Sequence, residues 1–156
     1  MNYLSAILIA LMLFSVSDIS LAERLHTGDW TVDYSGAFNE AYTENAAGKS
    51  IGFWCSTEEN NCFFYLRTNT QCKENSRTLM EAKTEAGKTK VELLCHKVAH
   101  EGDYRHLYFF TDTAGTKTLL EERRYIEISL PGVGKETFSL KGSKISIRKV
   151  SALAGK

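Results

Sequence analysis

Four cysteines, Cys55, Cys62, Cys72 and Cys95, follow an N-terminal run that reads as an export signal. Met1 to Ser17 carries no charged side chain, and Leu4 to Val16 is mostly apolar. A spanning helix needs about 20 apolar residues, and this run is shorter. Ser20 and Ala22 are small residues at the positions a signal peptidase reads, which predicts a cleaved segment 1–22 and a mature chain from Glu23. No Lys or Arg precedes the run, so the α-amino group is its only positive charge. No cysteine lies near the cut, which argues against a lipid anchor. Export removes the chain from the reducing cytosol. In an oxidising compartment four cysteines imply two disulfides. The sequence has no Asn-X-Ser/Thr sequon, in keeping with a periplasmic or secreted bacterial protein.

Four cysteines permit three connectivities. Cys55 and Cys62 flank a polar six-residue loop, Ser56 to Asn61, and a hairpin there would bring their Cβ atoms into bonding reach. That pairing leaves Cys72 with Cys95. There is no Cys-X-X-Cys, so the pattern favours neither a zinc site nor a redox pair, and no cofactor is expected.

Residues 23–156 make one domain of ordinary size, read as a single β domain. The one proline, Pro131, and the lack of Gly/Ser-rich stretches argue against a linker. Short segments rich in Tyr, Phe, Trp and Thr predict strands at Asp29–Tyr34, Phe38–Thr43, Ile51–Cys55 and Cys62–Leu66. Further strands are predicted at Thr78–Thr84, Thr89–His96 and Arg105–Thr111, the first two joined by a turn at Glu85 to Lys88. Alternation puts Trp30, Val32 and Tyr34 on one face. Thr118–Ile126 and Ile128–Leu130 read as further strands, with a short helical turn at Leu119–Tyr125 as the alternative. At the C-terminus, Gly142-Ser143 suits a two-residue hairpin turn that pairs Phe138 with Ile147 and Leu140 with Ile145. The alternative is a helix from Ser143 to about Leu153. The fold class is therefore mainly β: a disulfide-stapled antiparallel β-sandwich or small barrel, with a short C-terminal helix as the competing ending.

Nineteen basic and nineteen acidic residues balance, and loss of Asp18 with the signal leaves about +1. A neutral chain has no overall electrostatic footprint for nucleic acid, and no membrane anchor remains after signal cleavage. His96, His100 and His106 cluster with Glu101 and Asp103, but turn residues surround them, so spacing alone is weak support for a metal site. No catalytic signature is present, and both disulfides would consume every thiol. The expectation is a non-enzymatic protein.

Binding has better support. Aromatic side chains make up 11% of the chain, clustered at Phe53-Trp54, Phe63-Phe64-Tyr65 and Tyr108-Phe109-Phe110. Neighbours on a strand face opposite ways, so one face of each cluster needs a cover: protein core or a partner. Trp54 and Phe64 are the candidates for outward contacts. The acidic loop supplies Glu58, Glu59 and Asn60 as further partner-binding candidates. A stapled loop loses less entropy on binding.

Gly28-Asp29-Trp30-Thr31-Val32 and Phe138-Ser139-Leu140-Lys141-Gly142-Ser143 resemble the two ends of small bacterial periplasmic proteins of the invasion-associated locus B type. The likeness covers about a tenth of the mature chain, counted on the residues of these two short motifs. It implies an exported, non-enzymatic β protein linked to host interaction, helical after the terminal glycine. Those proteins commonly carry a cysteine shortly after the tryptophan; Tyr34 stands there in this chain, so the disulfide scheme differs. The leading expectation is a protein-binding module of inhibitor or immunity type, blocking another protein. The alternatives are a virulence-associated factor at a host interface and a small-ligand-binding β-barrel.

Overall fold

The computed structural model describes residues 23–59, 61–100 and 103–154. The segment 1–22, with the expected export signal, lies outside them. The elements in chain order are β1 (Glu23–Thr27), β2 (Trp30–Tyr34), β3 (Phe38–Glu44), β4 (Ser50–Ser56), β5 (Cys62–Arg67), β6 (Arg77–Thr84), β7 (Gly87–His100), β8 (Asp103–Phe110), α1 (Thr113–Glu121), β9 (Tyr125–Leu130), β10 (Gly134–Ser139) and α2 (Ser143–Ser151). The ten strands form one antiparallel sheet in the order β1-β2-β3-β4-β5-β8-β7-β6-β9-β10, curled into a half-barrel. The first five strands form a meander. The next three are laid down in reverse, so the connection from β5 to β6 crosses two strand positions. The disulfide Cys72–Cys95 ties that connection to β7, and Cys55–Cys62 closes the β4–β5 hairpin. Two disulfides point to an oxidising, non-cytosolic environment. Among the described residues no helix is long and apolar enough to cross a membrane.

Alternation builds much of the core, although β4 is buried on both faces. In β3 and β9 every second residue is buried. The inward set includes Trp30, Val32, Phe64, Met80, Ile126 and Phe138, all at 2% exposure or less. Burying each such side chain contributes about 1.5–3 kcal/mol. Helix α2 lies against the inner face of β1 to β4 and against α1, adding Ile147 and Val150 to the same cluster. The two ends of the sheet also meet. The Asp29 amide donates to the Lys141 carbonyl at 2.9 Å, and the Trp30 indole donates to Ser139 O at 3.0 Å. Lys49 pairs with Glu136, which also accepts from Asn45 Nδ2 at 2.7 Å.

The C-terminal hairpin does not form. Phe138 pairs with Ile126 of β9, Gly142 turns the chain at φ +96°, and α2 follows. Ile147 and Val150 are three apart and reach the core together, which a strand would not allow. Ile145, matched with Leu140 in the hairpin reading, is 54% exposed. Ser143 does not cap α2; its hydroxyl donates to Leu120 O at 2.6 Å and locks α2 to α1. The Thr118–Ile126 segment is split between the end of α1 and the start of β9.

Candidate functional site

The Cys55–Cys62 bridge sets the register of its hairpin: Phe53 stands opposite Phe64, and Trp54 opposite Phe63. Phe53 and Phe64 face inward with ring centroids 4.6 Å apart. Trp54 and Phe63 therefore face outward. The same parity runs across the ladder, with Glu40 opposite Trp54, Phe109 opposite Tyr65, and His96 opposite Leu107.

Outward parity brings five rings into one row. Centroid separations are 5.9 Å for Phe38–Trp54, 5.8 Å for Trp54–Phe63, 4.8 Å for Phe63–Phe109 and 5.1 Å for His96–Phe109. These values track the strand spacing of about 4.8 Å, one ring per strand from β3 to β7. Phe63 and Phe109 are nearly parallel, at 4°. Such stacking contributes about 0.5–1.5 kcal/mol per pair beyond area burial. All five rings stay half-buried, on the face opposite both helices.

Beside the row lies Tyr65, 3% exposed, whose hydroxyl donates to Glu40 in a short hydrogen bond. The phenol reaches β3 by passing over β4 at Gly52. A Cβ there would stand 2.8 Å from the Tyr65 hydroxyl and 2.7 Å from the Ala41 carbonyl oxygen. Only glycine leaves this space. With Arg67, Leu107, Val98, Glu59 and Asn61, the row and Tyr65 enclose a groove of about 630 Å³.

Burial lifts the Glu40 carboxyl above the ordinary carboxylate range, opposed by the Tyr65 hydrogen bond and the Arg67 charge. Burial pushes the Tyr65 phenol well above its usual value, and the Glu40 charge adds to this. Arg67 also pairs with Glu44 at 3.1 Å. The groove lining thus holds two carboxylates, Glu40 and Glu59, against one guanidinium already engaged. Its surplus charge is negative.

A raised carboxyl pKa means that the folded state keeps its proton longer than the unfolded chain. Stability from this group is full below the ordinary carboxylate range and falls as pH rises through the raised value. Glu40→Gln, which still accepts from Tyr65, is expected to flatten that fall. Urea midpoints across the acidic-to-neutral range test it; parallel curves for wild type and variant would remove Glu40 as the cause.

Comparison with protein-family models, with curated proteins and with solved structures returns no match. The site is therefore read from its own geometry. Trp54 faces outward, as the sequence predicts, and stands in the row; Glu59, a candidate on the stapled loop, lines the groove. Glu58 is exposed on the adjoining loop, its amide held by Ser56 Oγ at 3.3 Å. Asn60 lies outside the described residues. Phe64 is a correction: at 2% exposure, packed on Phe53 in the core, it cannot touch a partner. Sequence reasoning missed Phe63, Phe109, Tyr65 and Glu40, although the expected Cys55–Cys62 pairing already puts Phe63 on the Trp54 face. His96 and His106 do not converge. His96 joins the aromatic row, while His106 stands opposite Lys97 and so points to the other face. The His100 side chain and Glu101 lie outside the described residues. Among the described residues no three His, Cys, Asp or Glu side chains gather as a metal site.

Proposed function

We propose that this protein is an exported, non-catalytic binding module of inhibitor or immunity type. It works in the periplasm or outside the cell and holds a partner protein against the aromatic groove and its acidic loop. The row of half-buried rings on the helix-free face carries this reading. Interface centres are enriched in aromatic residues and arginine, in well-packed pockets ringed by polar groups. Trp54, Phe63, Phe109 and Arg67 fit that description. The adjoining loop is pre-organised: Thr57 Oγ1 donates to Gly36 O at 2.8 Å, and the Ser56 amide donates to Asn61 O at 2.9 Å. The negative surplus calls for a partner segment with an apolar side chain for the groove and a basic residue facing Glu58 and Glu59.

The test is capture of partners by the oxidised protein, followed by affinity measurement. Trp54→Ala is expected to weaken binding by about 2 kcal/mol, near thirtyfold. Charge reversal at Glu58 and Glu59 is expected to slow association and reduce its salt dependence, without changing the fold. Unchanged affinity in both variants would remove the groove and loop as the recognition surface. A second reading, small-ligand binding, is favoured by the groove's concavity. It gains if an apolar fluorescent probe binds stoichiometrically and Trp54→Ala abolishes that binding. A role at a host interface rests on the locus B resemblance alone.

A further inference from the structure

The neutral total hides one uneven stretch. No acidic residue follows Glu136, whereas Lys141, Lys144, Arg148 and Lys149 do. Helix α2 buries Ser143, Ser146, Ile147 and Val150. At 100° per residue, its opposite side carries Ile145 and Arg148, flanked by Lys144 and Lys149, while Lys141 lies exposed just before the helix. Ile145 is 54% exposed, and Leu153, just past the helix, is 38% exposed. Among the described residues the only other large apolar side chain so exposed is Leu79 on β6. Two of three such side chains therefore stand among four cations.

Helix stability explains only part of this placement: Arg148 and Lys149 lie in the last turn of α2, where the dipole favours a cation, but Lys144 does not. The first turn of α2 has no acidic residue and holds Lys144 where the helix dipole repels a cation. Gly142 gives no side-chain cap. The nearby acids compensate only in part. Glu121 lies 3.8 Å from Arg148, and Asp29 accepts from Ser139 Oγ at 2.6 Å. Among the described residues, Lys141, Lys144 and Lys149 form no ion pair. An exposed isoleucine bordered by lysine and arginine matches the chemistry of a surface that meets a lipid headgroup layer.

We propose that the outer face of α2 docks the protein on an anionic lipid surface. The cations meet headgroup phosphates, and Ile145 enters the layer beneath. Nucleic acid is the poorer fit, because no aromatic residue after Phe138 can stack on bases, and phosphate contacts have no use for Ile145. The helix covers the inner face of the sheet, while the groove opens on the outer face. A docked molecule would thus present its groove away from the lipid.

The oxidised protein, produced from the full chain, is to be sedimented with phosphatidylcholine vesicles, with and without phosphatidylglycerol. Binding is expected only with phosphatidylglycerol, weakening as salt shortens the screening length. Charge reversal at Lys144 and Arg148 is expected to weaken it roughly fivefold or more per cation. Ile145→Ser is expected to weaken it with the charge intact, whereas Lys83→Glu on β6 makes the same charge change elsewhere and leaves binding unaltered. Thermal melts confirm that each variant is folded. No binding to phosphatidylglycerol, equal binding to neutral vesicles, or a Lys83→Glu loss matching the α2 variants would overturn the proposal. So would equal affinity for a duplex oligonucleotide with no effect of Ile145→Ser, which would mark a general polyanion surface.

Discussion

Replacing Gly142 with alanine is expected to cost about 3 kcal/mol or more, roughly 10 °C in Tm for a domain of this size. Two effects add. The residue sits at φ +96°, where an L side chain is strained. The added Cβ would also stand 1.8 Å from the Thr27 carbonyl oxygen and 2.6 Å from its carbon. Those are backbone atoms of the β1–β2 turn and cannot swing aside. Gly28 mirrors the contact: at φ +61°, its Cβ would stand 2.5 Å from the Lys141 carbonyl oxygen. The two glycines let two stretches of backbone touch, and the Asp29–Lys141 and Trp30–Ser139 hydrogen bonds close over them. This seam joins the first hairpin to the β10–α2 junction. Gly36→Ala is the control, since Gly36 has φ +79° with nothing within 4 Å of the new Cβ. It should cost only the backbone strain, about 1 kcal/mol. Equal urea midpoints for the two variants would show that the close approach at the seam contributes nothing.

That seam also explains where sequence reading stops. Alternation within a strand is local, so Trp30 and Val32 were legible as a buried pair, and most of the strands from β2 to β8 fall where aromatic and β-branched runs place them. What lies outside local pattern was not legible. Gly142-Ser143 satisfies a hairpin turn as well as a helix start, and the choice is made by Thr27 and Leu120, distant in sequence. The edge strands β1 and β10 are short and polar, and their partners rather than their propensities define them. The groove was half legible. Trp54 is legible from alternation within its aromatic run, and Glu59 because the cysteines frame the loop that carries it. An aromatic run taken alone leaves the facing of Phe64 open; once Cys55 faces Cys62, Trp54 must share a face with Phe63, and Phe64 turns inward. Glu40 and Tyr65 need Gly52, and no periodicity announces that one missing Cβ lets a phenol cross a strand.

The two disulfides are expected to separate stability from recognition. On the chain-entropy account, a bridge spanning 23 residues, Cys72–Cys95, stabilises by about 3.5 kcal/mol, and one spanning 7, Cys55–Cys62, by about 2.5 kcal/mol. Topology widens the gap. The β4–β5 hairpin is already held by its own ladder from Ser50–Arg67 to Cys55–Cys62, so its bridge closes a loop that is nearly closed. Cys72 instead lies on the connection that crosses two strand positions, where loop closure must precede the docking of β8 on β5. The neighbouring hydrogen bonds, Asn75 amide to Cys95 O at 2.9 Å and Cys95 amide to Ser76 O at 2.8 Å, form only when that connection is in place. Cys72→Ala with Cys95→Ala should therefore lower the urea midpoint most and leave partner affinity near wild type wherever the protein is folded. Cys55→Ala with Cys62→Ala should do the reverse, because the loop bearing Glu58 and Glu59 loses its fixed base and pays more entropy on binding. Alanine is the right probe, since Cys55 and Cys95 are fully buried and serine would leave an unpaired hydroxyl in the core. If the short bridge proves the larger contributor to stability, loop-closure entropy is not what these disulfides supply. If its removal leaves affinity untouched, the loop is not part of the recognition surface, and the aromatic row must act alone.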